Sequence, residues 1–249
     1  MAPSSKEFLY GLNSCFEALR ADRRKFYDAY INETTRDSAR LQKLAGLLEK
    51  RGIPVSFVSK GRLNQLCGSD ENQGAVIRSS TYPYVPWESL FTEERKRLLL
   101  LDNVEDPHNV GAILRSAEIF GFDAVFLPMK GVPDVYPSVV KVSAGAAEFM
   151  HIARDRDSNR YAREAKDRGY KLLSLDAEGK TLLDSLGGAP EEKIMLVVGG
   201  EDRGVGQFIL NLSDAIVSIE QCGHVNSLNA SVAAGIAMHS LRIRQEAAK

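Results

Sequence analysis

In its second half the chain reads Ile194-Met195-Leu196-Val197-Val198-Gly199-Gly200, five consecutive apolar residues that end in two glycines. Four further runs have the same short, continuous apolar character, at residues 98–101, 124–127, 172–175 and 215–219. Strands buried on both faces have this composition, because helices cover both faces of a parallel sheet. Helical patterns accompany these runs at about residues 108–120, 158–168, 206–211 and 227–245. The alternation of strands and helices predicts an open α/β fold with a parallel sheet.

Residues 1–80 predict a separate, smaller α/β domain. Asn13 or Ser14 is expected to cap a first helix, and the threonines at 34 and 35 precede a second helix that ends at Gly52. The second helix carries leucines at helical spacing, at positions 41, 44, 47 and 48. Two strand patterns follow it, at 55–58 and 75–77. Residues 81–97 contain two prolines, several aromatic residues and a run of charges, which is typical of a linker. We therefore expect domains at 1–80 and 98–249, with Trp87 anchoring the linker to one of them.

The composition indicates a soluble, cytoplasmic protein. Of its 249 residues 44% are hydrophobic and 26% are charged, which is close to globular averages. No apolar run approaches the roughly 20 residues that span a bilayer, and the first residues lack the apolar stretch of a secretory signal. The three cysteines, at 15, 67 and 222, have no metal-ligand spacing and fit a reducing compartment. We expect no membrane partner and no metal ion.

The charge distribution differs between the two predicted domains. Residues 1–80 hold 13 Lys and Arg against 9 Asp and Glu, a balance of +4, so the remainder carries 19 against 24, a balance of −5. A basic domain joined to an acidic one fits an enzyme with a module that docks onto a polyanion. An ordinary scatter of surface charge explains the same numbers equally well.

Polar and glycine-rich residues follow three of the predicted strands, where open α/β sheets bind ligands. The three blocks are Asn109-Val110-Gly111-Ala112-Ile113-Leu114-Arg115, Gly199-Gly200-Glu201-Asp202-Arg203-Gly204 and Ser227-Leu228-Asn229-Ala230-Ser231-Val232-Ala233-Ala234-Gly235. Ser227, or Asn226 before it, is predicted to cap the last helix, whose small residues permit close packing against the sheet or a second subunit. The chain has no Gly-Lys-Ser/Thr phosphate loop and no G-x-G-x-x-G after its first apolar run. The missing fingerprint disfavours a nicotinamide-dependent oxidoreductase.

Together the three blocks resemble the motifs of the SpoU branch of the SPOUT methyltransferases. The resemblance covers about residues 98–242 and includes Val140-Lys141-Val142-Ser143-Ala144-Gly145-Ala146, which is similar to a Lys/Ser/Gly-Ala segment of that family. The first 80 residues look more loosely like the ribosomal-protein-like RNA-binding domain of enzymes that modify ribosomal RNA. The resemblance implies an RNA ribose 2′-O-methyltransferase that uses S-adenosylmethionine and acts on a guanosine of large-subunit ribosomal RNA. It also implies a deep trefoil knot and a homodimer.

The resemblance also implies roles for particular residues. The implied catalytic residues are Arg115, Asn109, Glu201, Ser227 and Asn229. The implied cofactor pocket is lined by Gly199, Ile219, Gln221 and Leu228, largely through backbone groups. Methyl transfer is an in-line displacement, so positioning and charge stabilisation supply most of the catalysis. Because arginine is permanently charged, we expect Arg115 to orient phosphate and stabilise the oxyanion rather than to act as a base.

The sequence departs from the family pattern at three places, which involve four residues. Two alternative functions remain open. Asp202 stands where glycine is usual, Glu220-Gln221 where Pro-Met is common, and Asn72 where histidine is frequent. These departures leave the reaction class intact but bear on the substrate. One alternative is the same chemistry on transfer RNA, and the other is a non-catalytic RNA-binding protein that retains the fold.

Overall fold

The computed structural model describes residues 6–35, 38–186, 192–225 and 227–247, which form two compact units. The first unit comprises the chain up to Pro83 together with Val135–Phe149. The second unit comprises Tyr84–Asp134 and the chain from Met150 onward. The segment Val135–Phe149, which the sequence pattern placed in the second domain, therefore groups with the first unit.

In chain order the described elements are β1 (Lys6–Tyr10), α1 (Leu12–Ala21), β2 (Phe26–Asn32), α2 (Ala39–Lys50), β3 (Val55–Val58), α3 (Lys60–Cys67), β4 (Ala75–Ser80), β5 (Arg97–Asp102), α4 (Pro107–Ile119), β6 (Ala124–Phe126), α5 (Pro137–Val142), β7 (Ile152–Ala153), α6 (Ser158–Asp167), β8 (Lys171–Leu175), β9 (Thr181–Leu182), β10 (Ile194–Gly199), α7 (Gln207–Leu212), β11 (Ala215–Ser218) and α8 (Ala230–Ala247). Short 3-10 turns lie between some of them.

The sheet of the first unit has the strand order β1-β4-β2-β3. Strand β4 is antiparallel to both of its neighbours, whereas β2 and β3 are parallel. Successive side chains of a strand point to opposite faces, so Ile77 and Val76 belong to different apolar clusters. Helices α1 and α2 cover one face through residues such as Cys15 and Leu44, and α3 covers the other through Leu63. The predicted strands at 55–58 and 75–77 are confirmed.

Helix α1 begins two or three residues earlier than a side-chain cap at Asn13 or Ser14 would allow. It begins at Leu12, directly after Gly11, whose φ of 88° is a conformation that favours glycine. The Leu12 N–H donates to Gln73 Oε1 at 2.9 Å, so a residue 61 positions away satisfies the start of the helix. The predicted cap was therefore wrong.

Helix α2 begins at Ala39 and ends at Lys50. The threonines at 34 and 35 lie in a 3-10 turn before it, so they do not cap the helix. Three of its four predicted apolar positions are buried, whereas Leu47 is 36% exposed. Gly52 follows the helix with a φ of 67°, which agrees with the predicted stop.

A buried ion pair explains why Val135–Phe149 belongs to the first unit. The side chains of Arg24 and Glu148 have no solvent exposure. Arg24 Nε donates to Glu148 Oε2 at 2.9 Å, and its Nη2 lies 2.7 Å from Oε1 of the same carboxylate. Arg24 also pairs with Glu7 of β1. Because an unpaired buried charge is costly, the guanidinium needs this segment beside it.

The sheet of the second unit has the strand order β7-β6-β5-β10-β8-β11-β9, and every pairing among its described strands is parallel. All five apolar runs are strands, as predicted. Residues 98–101 of β5 have no solvent exposure, as expected for a strand covered on both faces. The two-residue strands β7 and β9 are too short to show a sequence pattern. Trp87 packs into the core of this unit, which confirms its predicted anchoring role.

Two loops cross at the carboxyl edge of this sheet. Asp102 and Gly199 end the neighbouring strands β5 and β10 in register with each other. The Gly200 N–H donates to the Asp102 carbonyl at 2.9 Å, and Asn103 Nδ2 donates to the Gly204 carbonyl at 3.3 Å. A Cβ on Gly200 would lie 1.8 Å from the Asn103 carbonyl oxygen, so only glycine permits this crossing. The crossing brings the loop after β10 against the loop after β5.

Candidate functional site

A cavity of about 190 Å³ opens at the carboxyl edge of the second unit's sheet. Its lining comes from the residues that follow β8, β10 and β11 and from the start of α8. Parallel strands end at the same edge, so segments far apart in sequence meet there. The predicted cofactor-pocket residues all line this cavity, namely Gly199, Ile219, Gln221 and Leu228. Two predicted catalytic residues, Glu201 and Ser227, line it as well.

Three polar side chains from the three sequence blocks form a hydrogen-bonded cluster at this edge. Asn109 Nδ2 donates to Glu201 Oε1 at 3.3 Å, and Asn229 Nδ2 donates both to Asn109 Oδ1, at 2.9 Å, and to Glu201 Oε1. The Ala230 N–H donates to the same carboxylate oxygen at 3.4 Å. The Glu201 carboxylate therefore accepts one side-chain amide from the first sequence block and one from the third. We call these three side chains the Asn109–Glu201–Asn229 cluster.

Asn229 also begins the last helix. Its Oδ1 atom accepts from the Ser231 N–H at 3.0 Å, from Ser231 Oγ at 2.6 Å and from the Val232 N–H at 3.4 Å. These are the bonds of an N-cap. The prediction of Ser227 as the cap was therefore wrong, and its alternative, Asn226, lies outside the described residues.

Asn109 lies in the first turn of its helix rather than at the N-cap. Helix α4 begins at Pro107 and is capped by Asp106, whose side chain accepts from the His108 N–H at 2.9 Å. Asn109 lies inside the first turn, and its side chain does not cap the helix. Its amide is therefore available to the cluster.

Arg115 lies on the exposed face of α4. Within the described ranges it makes no hydrogen bond or ion pair, and it is not among the residues that line the cavity. The guanidinium is consequently open to solvent. The structure does not bring Arg115 into contact with the Asn109–Glu201–Asn229 cluster.

Sequence reasoning missed the segment 175–177, which follows β8 and lines the cavity. Asp176 Oδ1 accepts from the Glu178 N–H at 2.8 Å, and a Cβ on Gly204 would lie 3.9 Å from its Oδ2 atom. A carboxylate directly after a buried parallel strand is a signal that could have found it. Among the described lining residues the charged groups are Asp176 and Glu201, so the lining is acidic.

Other candidate groups lie outside this site. His151 and His224 are exposed and are not among the residues that line the cavity. Cys15 is buried, and burial raises the pKa of its thiol. Among the described residues no group of three or more His, Cys, Asp or Glu could hold a metal ion. No described helix has both the length and the apolar character to cross a membrane.

Asn72, one of the departures from the family pattern, is a structural residue in the first unit. It is buried, and its Nδ2 donates to Asn64 Oδ1 at 2.7 Å and to the Ser69 carbonyl at 3.0 Å. Its Oδ1 accepts from the Gly74 N–H at 3.0 Å. The amide thereby fixes the turn before β4.

Comparison with known proteins identifies two regions. Residues 96–239 match the model of the SpoU rRNA Methylase family, and residues 8–85 match that of an RNA 2′-O ribose methyltransferase substrate-binding domain. Among solved structures, the SpoU methyltransferase AviRb of Streptomyces viridochromogenes, in complex with AdoMet, is similar with a TM-score of 0.82 at 20% identity, over 98% of this chain and 92% of that one. An AdoMet-bound rRNA methyltransferase of Sinorhizobium meliloti is similar with a TM-score of 0.79 at 22% identity, over 96% and 87%.

Sequence relatives extend over nearly the whole chain. The protein YacO of Bacillus subtilis (strain 168), whose name assigns it to the TrmH family of tRNA/rRNA methyltransferases, is 31% identical over 94% of each chain. An uncharacterized tRNA/rRNA methyltransferase of Mycolicibacterium paratuberculosis is 33% identical over 93% of this chain and 75% of its own. The family match covers more than half of the chain, including all three motif blocks. The chain therefore belongs to the SpoU rRNA methylase family.

Proposed function

We propose that this protein is an S-adenosylmethionine-dependent RNA ribose 2′-O-methyltransferase. The observation that carries the proposal is the Asn109–Glu201–Asn229 cluster beside the acidic cavity, in a chain of the SpoU family. The cluster unites the three sequence blocks that resemble the family's motifs. A non-catalytic RNA-binding protein would have no need to keep all three polar side chains in one hydrogen-bonded set.

The cavity lining fits S-adenosylmethionine. Leu175, Val198 and Ile219 supply apolar surface, and the backbone of the glycine-rich loop offers donors and acceptors. The carboxylates of Asp176 and Glu201 favour a cation over a neutral ligand. When bound, the cofactor supplies a methyl group on a positively charged sulfur. We assign its binding to Gly199, Ile219, Gln221 and Leu228, which line the cavity.

The polar residues then have distinct roles toward the ribose. The Asn109–Glu201–Asn229 cluster orients the 2′-hydroxyl, with Ser227 beside it on the cavity wall. Arg115 holds an RNA phosphate and stabilises the negative charge that develops on the ribose oxygen, because a guanidinium binds phosphate through a planar pair of donors. Its exposed position suits a group that meets the RNA rather than the cofactor.

Large-subunit ribosomal RNA, methylated at a guanosine, is the proposed substrate. The rRNA methyltransferase of Sinorhizobium meliloti aligns over 96% of this chain. The TrmH/SpoU tRNA modifying enzyme of A. aeolicus and a structure that concerns 2-OH methylation of C/U34 on tRNA align over 65% and 61%. The fuller alignment includes the first unit, which supports a substrate handled by that unit. Methylation of tRNA is the alternative.

We also propose a homodimer formed through α8. Val232, Ile236 and Ile243 are 50%, 41% and 49% exposed and share one face of the helix. Ile119, at the end of α4, is 54% exposed, and its carbonyl accepts from Arg242 of α8 at 3.1 Å. Several exposed apolar side chains on one helix face are typical of a protein interface. The family resemblance further supports a trefoil knot in this unit, and the composition supports a cytoplasmic location; we include both in the proposal.

The dimer is tested by sedimentation velocity. The double variant Val232→Asp/Ile236→Asp should sediment as a monomer, because it places charges in the proposed interface. Phe57→Asp serves as the control, since Phe57 is a similarly exposed apolar residue of the first unit at 48% exposure. A monomeric wild type, or a control that dissociates equally, would contradict the interface.

The function is tested with methyl-tritiated S-adenosylmethionine and bulk RNA from cells that lack the protein. We expect label in large-subunit ribosomal RNA, recovered after nuclease digestion as 2′-O-methylguanosine. Label in transfer RNA would establish the alternative substrate, and RNA binding without label in any RNA would indicate a non-catalytic protein. Calorimetry should show binding of S-adenosylmethionine and no comparable response to NAD.

A further inference from the structure

We propose that a groove between α1 and α2 in the first unit binds the phosphate backbone of an RNA strand. This α1–α2 groove has a volume of about 570 Å³, and the lining side chains that matter here are Phe16, Arg20, Arg40, Lys43, Leu47 and Arg51. It lies on the first unit alone and shares no residue with the cavity at the candidate active site. The proposal rests on the proposed function only in that the substrate is RNA.

The helical periodicity separates the groove from the core. Residues 40, 43, 47 and 51 follow one another at spacings of three and four, so they lie along one face of α2 and its C-terminal end. The leucines at 41, 44 and 48 lie on another face and are buried against the sheet. Arg40 and Arg51 are eleven positions apart, so the cationic row is about 17 Å long at about 1.5 Å per residue. A row of this length can bind several successive phosphates of an RNA strand rather than a single anion.

The cations of the groove have little compensating charge. Lys43 makes no hydrogen bond or ion pair with any residue the structure describes, and Arg40 Nη2 donates to the neutral amide oxygen of Asn13 at 2.7 Å. Glu17 is the carboxylate among the lining residues, and it lies 3.6 Å from Arg20, whose side chain is 77% exposed. Only the arginine of this pair is well exposed, since the Glu17 side chain is 32% exposed, and a phosphate can therefore reach the Arg20 guanidinium from solvent.

Arg51, at the end of the cationic row, also forms an ion pair. Its Nη1 atom pairs with Asp22 Oδ1 at 2.6 Å, with both side chains exposed. Arginine presents a planar fork of donors that suits phosphate oxygens. The exposed part of Leu47 adds apolar surface between the charges. Of the four cations, Arg20 and Arg51 are paired with carboxylates, whereas Arg40 and Lys43 have no carboxylate partner among the described residues.

The choice of RNA over an acidic protein follows from the domain that carries the groove. All of its residues fall within the region 8–85 that matches an RNA 2′-O ribose methyltransferase substrate-binding domain. Contacts to phosphates carry no sequence information. The groove should therefore supply affinity and register, while the nucleotide is selected elsewhere.

The test compares two charge reversals of equal size in the full-length protein. Arg40→Glu/Lys43→Glu changes the groove, whereas Lys60→Glu/Arg62→Glu changes exposed cations of α3 on the opposite face of the sheet. Binding of a fluorescein-labelled 30-nucleotide RNA hairpin is followed by anisotropy between 50 and 200 mM salt, a range in which phosphate contacts have a strong effect. The neutral variant Arg40→Gln/Lys43→Gln provides a second probe, and thermal melts verify folding.

We expect the groove variant to weaken hairpin binding by about 30-fold at about 0.1 M salt, because each phosphate contact contributes about 0.7 to 0.9 to the logarithmic salt slope. Its slope should fall by about 1.5, and the α3 variant should stay within about threefold of wild type. Equal losses in both variants, or no loss in the groove variants, would overturn the proposal. So would stronger competition by poly-glutamate than by unlabelled hairpin, which would indicate an acidic protein partner.

These outcomes are independent of the methyltransferase assay. If wild type binds the hairpin through the groove but transfers no methyl group to any RNA, the proposed function fails and the groove stands. If methyl transfer occurs and the groove variants bind the hairpin like wild type, the groove fails and the function stands. Calorimetric binding of S-adenosylmethionine should be unchanged in every groove variant.

Discussion

Asn229 performs two tasks with one side chain, and two substitutions separate them. Its Oδ1 atom caps α8 by accepting from the Ser231 N–H, whereas its Nδ2 atom donates to Asn109 and Glu201. Asn229→Ala removes both tasks. Asn229→Ser keeps the cap, because serine is about as good an N-cap as asparagine, but it removes the amide donor.

The expected magnitudes follow from these bonds. Loss of an N-cap lowers the free energy of unfolding by about 1 kcal/mol, so the alanine variant should be less stable and the serine variant close to wild type. A hydrogen bond to a charged group is worth about 1.5–3 kcal/mol, which corresponds to about a 10- to 150-fold change in rate if it acts in the transition state. Because Asn229 is exposed, we expect about a tenfold loss of turnover in both variants.

Two measurements decide the matter. Urea unfolding followed by circular dichroism should give a lower free energy of unfolding for the alanine variant than for the serine variant. The kcat for methyl transfer to RNA should be lowered to a similar extent in both variants. A serine variant with wild-type turnover would refute a role for the amide in positioning the ribose. A serine variant that unfolds together with the alanine variant would refute the cap.

Three further perturbations test other parts of the structure. Arg115→Ala should abolish methyl transfer while calorimetric binding of S-adenosylmethionine is retained, and substantial remaining turnover would exclude this arginine from catalysis. Arg24→Met leaves the buried Glu148 carboxylate without its arginine partner and should lower the free energy of unfolding by about 3–5 kcal/mol, measured by urea titration. The double variant Arg24→Met/Glu148→Leu should recover most of this loss in the same titration. Burial opposes ionisation of Asp214, but hydrogen bonds from Lys166 and a backbone amide outweigh it and lower its pKa below the ordinary 3.8. A depressed folded pKa stabilises the protein above the unfolded pKa, and this stabilisation is lost as the pH falls through the folded value. Asp214→Asn should therefore be less stable than wild type at about pH 7, and the difference should shrink as the pH falls through the folded pKa. A difference that does not vary with pH would refute this.

The layer of parallel strands could be predicted from the sequence because its cause is local. A strand covered by helices on both faces must be apolar throughout, so runs such as 98–101 and 194–198 identify themselves without knowledge of their neighbours. Parallel strands share a carboxyl edge, so the meeting of the blocks around Asn109, Glu201 and Asn229 was also within reach. The residues expected to hold the cofactor accordingly line one cavity.

Partnerships between distant residues were decided only by the tertiary structure. Asp176 reaches the cavity because β8 lies between β10 and β11, and strand order leaves no periodic trace in a sequence. Val135–Phe149 groups with the first unit because the buried guanidinium of Arg24 requires the carboxylate of Glu148, 124 residues away. Asn229 caps α8 while its amide reaches Asn109 across 120 residues, whereas local pattern favoured Ser227. Periodicity reports which face of an element is buried, but it carries no information about which distant group satisfies a buried charge or an unpaired helix end.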